Sequence, residues 1–348
     1  MRFSASAPGK AVLSGEYAVL QGAPAIAMAV DCRALVTVES NEEDYHKVVS
    51  PGLTTEARFR CRQRGSIEWL DDVEDGDRPN HDHVLFEHVW RTVQAMPAEN
   101  LSFTLDTRRF FDPESSLKLG FGSSSALAAA LTAVLLRAGP GEATTRSVQE
   151  ILKLAVKAHL EFQGGKGSGV DVATAMSGGL IAFALRPDLR IKELKWPPGV
   201  AFSIMWSGRP ASTLERLRKL ERFGRNRAAR AAAEKLKEAS RHVLDAWINA
   251  RPDEVFRSLQ LYTAALRRFS LEHGVGVFDA GHQELCEAAE DFGFVYKPCG
   301  AGGGDIGIVF FPEEAEKTAL AGFGVRAGQL GFRKLDRTLE PAGLVYEH

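Results

Sequence analysis

A chain of 348 residues, 45% hydrophobic and 25% charged, is long enough for two domains with cores of their own and has the composition of an ordinary globular protein. Its net charge of −2 gives no general reason to bind nucleic acid or a membrane surface, and no apolar run approaches the roughly 20 residues that a membrane helix needs. The amino terminus, Met1-Arg-Phe-Ser-Ala-Ser, lacks the apolar core of a signal peptide, and four scattered cysteines (Cys32, Cys61, Cys286, Cys299) without a Cys-x-x-Cys argue against a metal or disulfide framework, so a cytoplasmic location is expected.

Residues 2–40 read as strands and turns. Val12-Leu13 precedes a break at Gly15-Glu16, and Ala25–Val30 and Ala34–Glu39 are short apolar or alternating runs. Residues 41–80 are polar and charged, with Asp71-Asp-Val-Glu-Asp-Gly-Asp as an exposed loop. His81, His83 and His88 invite a metal reading. Val84, Leu85, Val89 and Trp90 interleave with them, however, and predict a half-buried helix. Leu101–Asp106 alternates like a strand.

Next comes Lys118-Leu-Gly-Phe-Gly-Ser-Ser-Ser-Ala-Leu-Ala-Ala-Ala-Leu. Gly120 and Gly122 bracket a turn, a serine is a good N-cap, and Ala126–Leu136 is a run of strong helix formers. A glycine loop feeding a helix N-terminus offers N–H groups and a dipole to an anion. From this stretch alone, a capped core helix behind a glycine turn is the equal alternative. A further helix spans about Thr145–Phe162, with Ile151, Leu154, Ala155, Ala158 and Phe162 on one face and Gly164-Gly165 as its stop. Lys166-Gly-Ser-Gly-Val-Asp171 is a glycine-bounded turn into another helix, and Leu180–Leu185 reads as a strand.

Pro187, Pro197 and Pro198 mark a boundary, giving expected domains of 1–195 and 196–348. Val200–Trp206 is a strand, and Ser207-Gly-Arg-Pro-Ala-Ser-Thr caps a helical region over 213–250. That region is rich in Arg216, Arg218, Lys219, Arg222, Arg225, Arg227 and Arg230. A solvated helix face explains them better than a nucleic-acid surface. Pro252–Glu272 and His282–Phe292 read as helices, Phe294–Tyr296 and Asp305–Phe311 as strands, and 332–346 as a short closing strand. Gly302-x-Gly304-x-x-Gly307 fits the dinucleotide pattern, but the strand-like Ile306-Gly-Ile-Val-Phe-Phe follows it where a helix is required. No Gly-x4-Gly-Lys-[Ser/Thr] is present.

Three stretches, taken in order, carry more than any one of them. They are Ala7-Pro-Gly-Lys-Ala-Val-Leu-Ser-Gly-Glu-Tyr, the glycine loop at 118–131, and Lys297-Pro-Cys-Gly-Ala-Gly-Gly-Gly-Asp-Ile-Gly. The trio resembles the GHMP kinase superfamily, and the likeness spans nearly the whole chain. It implies an α+β fold, with an N-terminal part like ribosomal S5 domain 2 and a ferredoxin-like C-terminal part. ATP, Mg2+ and a small-molecule acceptor would meet in the cleft between them, in a monomer or homodimer. The resemblance places Gly120, Gly122, Ser123, Ser124 and Ser125 at the ATP phosphates and Ser124 at Mg2+. Asp171 and Lys10 fall at the acceptor oxygen. Lys118 has an electrostatic role by position, with a surface lysine as its alternative. Glu161 lies near the position of the magnesium-binding glutamate of mevalonate kinases but out of clean register, so a solvent-facing helix residue is its alternative.

Three details are similar to the phosphomevalonate kinase branch: His159-x-x-x-Gln163-Gly leading to Gly167-Ser-Gly-Val-Asp171, the third motif with Cys299 where a serine is common, and Gly208-x-x-Ala-Ser-Thr213. The departure is Gly165-Lys166 in place of the usual Lys-Val. The implied reaction is phosphorylation of (R)-5-phosphomevalonate by ATP, with His159, Ser168, Arg209, Ser212, Gly302 and Gly303 joining Lys10 and Asp171 around the acceptor. Mevalonate kinase, and a GHMP-fold sensor that binds without turnover, are the alternatives. Retention of Lys10, Ser124 and Asp171 together argues against the sensor.

Overall fold

The computed structural model describes residues 1–51, 56–62, 65–70, 81–139, 147–185, 189–212, 215–216, 218–220 and 226–347. The acidic run from Asp71, and Thr145, Pro187, Thr213, Arg222 and Arg225, lie outside them. The larger sheet has nine strands. They are β1 (Arg2–Ser14), β2 (Ala25–Ser40), β3 (His46–Val49), β4 (Glu56–Arg62), β5 (Ser66–Trp69), β6 (Leu101–Asp106), β7 (Leu180–Ala184), β8 (Arg190–Leu194) and β13 (Val345–Glu347). Their order is β13-β1-β2-β6-β3-β4-β5, with β7 and β8 branching from β2. β2 serves two partners on one side. Its first residues pair with β7 and its last with β6, while β1 runs along the other edge.

One face of this sheet is covered by helices α1 (His81–Val93), α2 (Ser123–Ala138) and α4 (Val170–Ser177), and α3 (Val148–Phe162) packs against all three. α2 is buried from Ser125 to Leu136. An alanine-rich helix that is apolar all round can sit between a sheet and other helices because its small side chains let backbones come close. α1 is half buried as expected: Phe86 and Trp90 pack with Phe59 and Phe103 across the sheet. A capping box of Ser147 and Glu150 starts α3.

The second sheet contains β9 (Val200–Trp206), β10 (Val295–Pro298), β11 (Ile306–Pro312) and β12 (Arg333–Leu335) in the order β10-β11-β9-β12, all antiparallel. Between β9 and β10 run α5 (Arg227–Asn249), α6 (Pro252–His273) and α7 (His282–Asp291), and α8 (Lys317–Gln329) joins β11 to β12. Numbered within this half, the strands lie 4-1-3-2 and enclose a split βαβ arrangement, the ferredoxin-like order. The mixed architecture is α+β.

Several elements differ from the sequence expectations. β3, β4 and β5 fall within the polar, charged stretch 41–80, for which no strand is expected. They alternate buried and exposed residues, and charged side chains on the open face mask the period. α8 is missed because Gly322, Gly324 and Gly328 dilute its helical propensity. The closing strand is two strands, and the second, β13, returns to pair with β1. Arg227 and Arg230 are exposed, as a solvated face requires, but Arg216 is buried.

The halves are joined by a buried polar knot. Lys297 on β10, fully buried, places Nζ 2.5 Å from Glu16 Oε1 and 3.1 Å from the Val12 carbonyl. Tyr262 of α6 donates to Glu16 Oε2 at 2.5 Å and accepts from the Gly15 N–H at 2.9 Å. Removing one member of such a pair strands the other charge, at a cost of about 3–5 kcal/mol. Lys297→Met should therefore lower unfolding stability by about that amount in urea titration, and Lys297→Met with Glu16→Gln should recover a large part of it.

Candidate active site

The site begins at an irregularity. β1 and β2 lose register between Pro8 and Gly9, and such a bulge re-aims the side chain that follows. That side chain is Lys10. Gly9 leaves room for Phe121, whose carbonyl would stand 2.9 Å from a Cβ there and which accepts the Lys10 N–H at 2.9 Å. β1 is thereby tied to the glycine loop, and Lys10 crosses in front of it. A Cβ on Gly122 would lie 3.0 Å from Lys10 Cε and 2.9 Å from Ser125 Oγ. Gly122 also has φ +77°, a conformation that disfavours any other residue.

Gly122, not a serine, is the N-cap of α2, and no side chain caps it. The sequence reading placed a serine there, but the left-handed turn requires glycine and moves the three serines into the first helical turn. Ser125 turns back to donate to the Gly122 carbonyl at 2.8 Å. The first turn of α2 therefore presents N–H groups without a side-chain acceptor, at the positive end of a long buried helix. α4 starts in the same way, on Gly169 with φ +81°.

Lys10 Nζ lies 3.5 Å from Asp171 Oδ1 in the first turn of α4. Ser124 Oγ is 3.1 Å from His159 Nε2. Burial pushes His159 down to about 4, while the charge of Asp171 pulls the other way, so the ring is neutral at pH 7. A cleft runs beside the Lys10–Asp171 pair. It is bounded by Val12, Glu16, Tyr17, His159, Gln163, Lys166, Ser168, Gly169, Gly300 and Ala301. Ser168 also accepts the Val170 N–H at 3.3 Å.

Other expected site residues lie elsewhere or are engaged. Glu161 is on the far side of α3 from His159, where it accepts from Thr92 at 3.2 Å and sits 3.9 Å from Lys157. Two residues along a helix turn a side chain by about 200°, so those contacts carry it toward α1 and away from Ser124. Lys118 is exposed, with its ammonium 5.9 Å from the centre of the Phe111 ring. Arg209 is exposed and outside the cleft lining, and its carbonyl accepts from the Asp305 N–H at 2.7 Å. Ser212 accepts from the Glu215 N–H at 3.3 Å.

Gly302 and Gly303 are backed by protein. A Cβ on Gly302 would stand 2.5 Å from the Val277 carbonyl, and one on Gly303 would strike the Arg216 guanidinium. The Gly303 N–H is already given to Val277 at 2.7 Å. Asp305 closes the same loop at φ +57°. It accepts the Ala211 N–H at 3.1 Å and packs on Gly120. Burial raises its carboxyl pKa, against the pull of Ala211, Lys10 and Lys118.

Glu16, Tyr17, Gln163, Lys166, Gly300 and Ala301 were missed as cleft residues. Lys297 carried one legible signal: a lysine inside the apolar run Phe294-Val-Tyr-Lys needs a buried partner. Glu16 carried none, because its partner lies 281 positions away.

Fold and site together form two α+β halves, with a glycine loop in front of the buried helix α2. Residues 87–179 match the model of the GHMP kinases N terminal domain. The chain is 30% identical over 347 residues to the phosphomevalonate kinase of Streptomyces sp. (strain CL190), covering 89% of this chain and 90% of that one. It is 26% identical over 346 residues to the mevalonate kinase of Thermococcus sibiricus, with 92% of each covered. Its fold matches the Streptococcus pneumoniae phosphomevalonate kinase in complex with phosphomevalonate and AMPPNP at a TM-score of 0.76, with 18% identity over 97% of this chain and 99% of that one. The chain belongs to the GHMP kinases. Within that family it is an ATP-dependent kinase of the mevalonate pathway.

Two measurements check this geometry. Gly122→Ala should displace Lys10 and cut kcat by roughly a hundredfold, because ångström errors at a reacting centre cost about that much, while far-UV circular dichroism keeps its native form. The second concerns pH. His159 and His282 are both held by burial at about 4, below the ordinary 6.5. The folded state therefore binds fewer protons than the unfolded one between those values. Stability should be full above pH 6.5 and fall as pH drops toward 4, by roughly 3 kcal/mol per ring at most. His159→Gln should remove one ring's share of that slope in urea titrations across the range.

Proposed function

We propose that the chain transfers the γ-phosphoryl group of ATP to (R)-5-phosphomevalonate, giving ADP and 5-diphosphomevalonate. The observation that carries this reading is the pair of helix N-termini, α2 at Gly122 and α4 at Gly169, each opening on a left-handed glycine that has no side chain to cap it, with the Val170 N–H of α4 taken up by Ser168. Each is an anion site, and Lys10 stands between them. Two such ends suit two phosphorylated partners, the nucleotide at α2 and a phosphate monoester at α4. The 30% identity to a phosphomevalonate kinase along nearly the full length supports the same choice.

Magnesium fits the site in a limited way. Among the described residues no group of three His, Cys, Asp or Glu side chains could hold a metal. The ion would come with the nucleotide and touch the protein through Ser124, as Mg2+ commonly does when phosphates and water supply most of its ligands. When bound, it offsets the negative charge of the phosphate oxygens.

The chain's own residues do the rest. The N–H groups of the first turn of α2 hold the phosphates, and Ser124 is steadied by His159. The acceptor's phosphate oxygen attacks the γ-phosphorus. A new O–P bond forms as the bond to the β-phosphate oxygen breaks, and that electron pair leaves on ADP. Lys10 stabilises the equatorial charge. A phosphate monoester has its second pKa near about 6, so at pH 7 the attacking oxygen is already deprotonated. Asp171 then orients Lys10 and the acceptor instead of removing a proton.

Initial rates of ATP consumption with phosphomevalonate and with mevalonate test the assignment, and only the first should give turnover at physiological concentrations. For Asp171→Asn, kcat should fall by roughly 10²–10⁴-fold. The acidic limb of kcat/KM should persist near pH ~6 in both proteins, because it belongs to the substrate. Turnover of mevalonate, with loss of the limb in Asp171→Asn alone, would assign the alcohol kinase reaction and make Asp171 its base.

A further inference from the structure

The loop joining β10 to β11 has little to hold its own shape. Gly300, Gly302 and Gly303 have φ of +66°, +69° and +72°, and Gly304 has φ +150°. Yet its near end borders the cleft, where a Cβ on Gly300 would be 3.5 Å from Lys10 Nζ. Tyr17 donates to the Ala301 carbonyl at 2.6 Å and His282 Nε2 lies 3.0 Å from the Gly304 carbonyl, which leaves the middle of the loop, at Gly303, to be fixed from elsewhere.

Arg216, from the arginine-rich stretch, is buried, with only 10% of its side chain exposed. Nη1 donates to the Val275 carbonyl, to the Gly276 carbonyl at 2.6 Å and to Asp279 Oδ2 at 3.1 Å. Nη2 donates to the Gly303 carbonyl at 3.1 Å. The guanidinium thus ties the segment 275–279 to the glycine loop, and the Gly303 N–H ties it back to Val277. In a trans peptide the carbonyl and the next N–H point opposite ways. Drawing the Gly303 carbonyl to Arg216 therefore turns the Gly304 N–H away from it, and among the described residues that N–H has no acceptor.

We propose that Arg216 is a positioning residue of the transfer site. It fixes the middle of the third glycine loop at Gly303, and so contributes, with Tyr17 at Ala301, to the distance of Gly300 from Lys10, through a fork that a lysine cannot reproduce. Arginine presents two nitrogens in one plane, whereas an ammonium is a single point. Lysine at 216 keeps the charge and can satisfy one side of the clamp, but not Gly303 and the 275–276 carbonyls together. The inference rests on the kinase reading for its kinetic consequence and on the geometry alone for the state of the loop.

The test uses Arg216→Lys, with exposed Arg218→Ala as control. Hydrogen exchange is followed by mass spectrometry in the full-length protein, and kinetics are measured on whichever acceptor the wild type turns over. In Arg216→Lys the peptide over 299–306, which contains the Gly303 amide, should exchange about tenfold faster, with other peptides unchanged. kcat should fall at least about tenfold with the KM for ATP within about twofold. In Arg216→Ala, added methylguanidinium should restore part of kcat without affecting the wild type. Arg218→Ala should match wild type throughout. Unchanged exchange at 299–306 overturns the proposal, as does faster exchange with kcat within about twofold of wild type. If the wild type phosphorylates neither acceptor, the kinase assignment fails, and the exchange measurement still decides whether Arg216 holds the loop.

Discussion

A lysine with no exposed surface must be neutralised where it lies, and Lys297 is neutralised by a residue from the opposite end of the chain. Its contact with Glu16 cannot form until the β1 edge and the second sheet have come together. Tyr262 makes the demand stricter, since its hydroxyl both donates to Glu16 and accepts from Gly15. Carboxylate, ammonium and phenol satisfy one another in a space that water does not enter. Half-satisfied, such a network costs more than an apolar core would. The relative placement of the halves is therefore an all-or-none property, and the cleft inherits it, because Glu16 and Tyr17 line one wall and Gly300 and Ala301 the facing loop.

Backbone placement likewise governs the glycine loop before α2. Lys10 is placed by a bulge, by its own N–H to Phe121 and by the missing side chain of Gly122. Asp171 is placed by a helix that starts on Gly169. Neither side chain depends on a long flexible segment, so their 3.5 Å approach is set by backbone. Rigid backbone placement is what phosphoryl transfer needs, because the protein contributes position and charge more than covalent chemistry.

What the sequence could reveal follows from the range of each interaction. The helix over Ala126–Leu136, the turn at 167–171 and the strand after the third motif depend on neighbours a few residues apart, and periodicity and glycine spacing expose them. The strands at 46–69 have a hidden face whose partner is α1, so charge on the open face dominated the reading. The resemblance sets Gly302 and Gly303 beside the acceptor, and a Cβ on either would meet Val277 or Arg216. A missing side chain in a sequence does not say which side of the backbone needs the room. Arg216 shows the same limit from the other direction. Its neighbours Arg218, Arg227 and Arg230 are exposed, and nothing local separates it from them.

The neutrality of His159 completes the charge balance at the transfer point. The ring is buried, lies against Ser124 of α2 and lines the same cleft as Lys10 and Asp171. A protonated ring there would add a cation beside Lys10 and pull Asp171 away from it. The neutral ring leaves the carboxylate to Lys10 and still gives Ser124 a polar partner. Desolvation is the largest cause, with the charges of His81 and Lys10 acting in the same direction and Asp171 against them. Lys10 is then the cation beside Asp171, aimed by its backbone and held at one edge by that carboxylate. On the proposed reading, that arrangement aligns an acceptor that brings its own negative charge and needs no base.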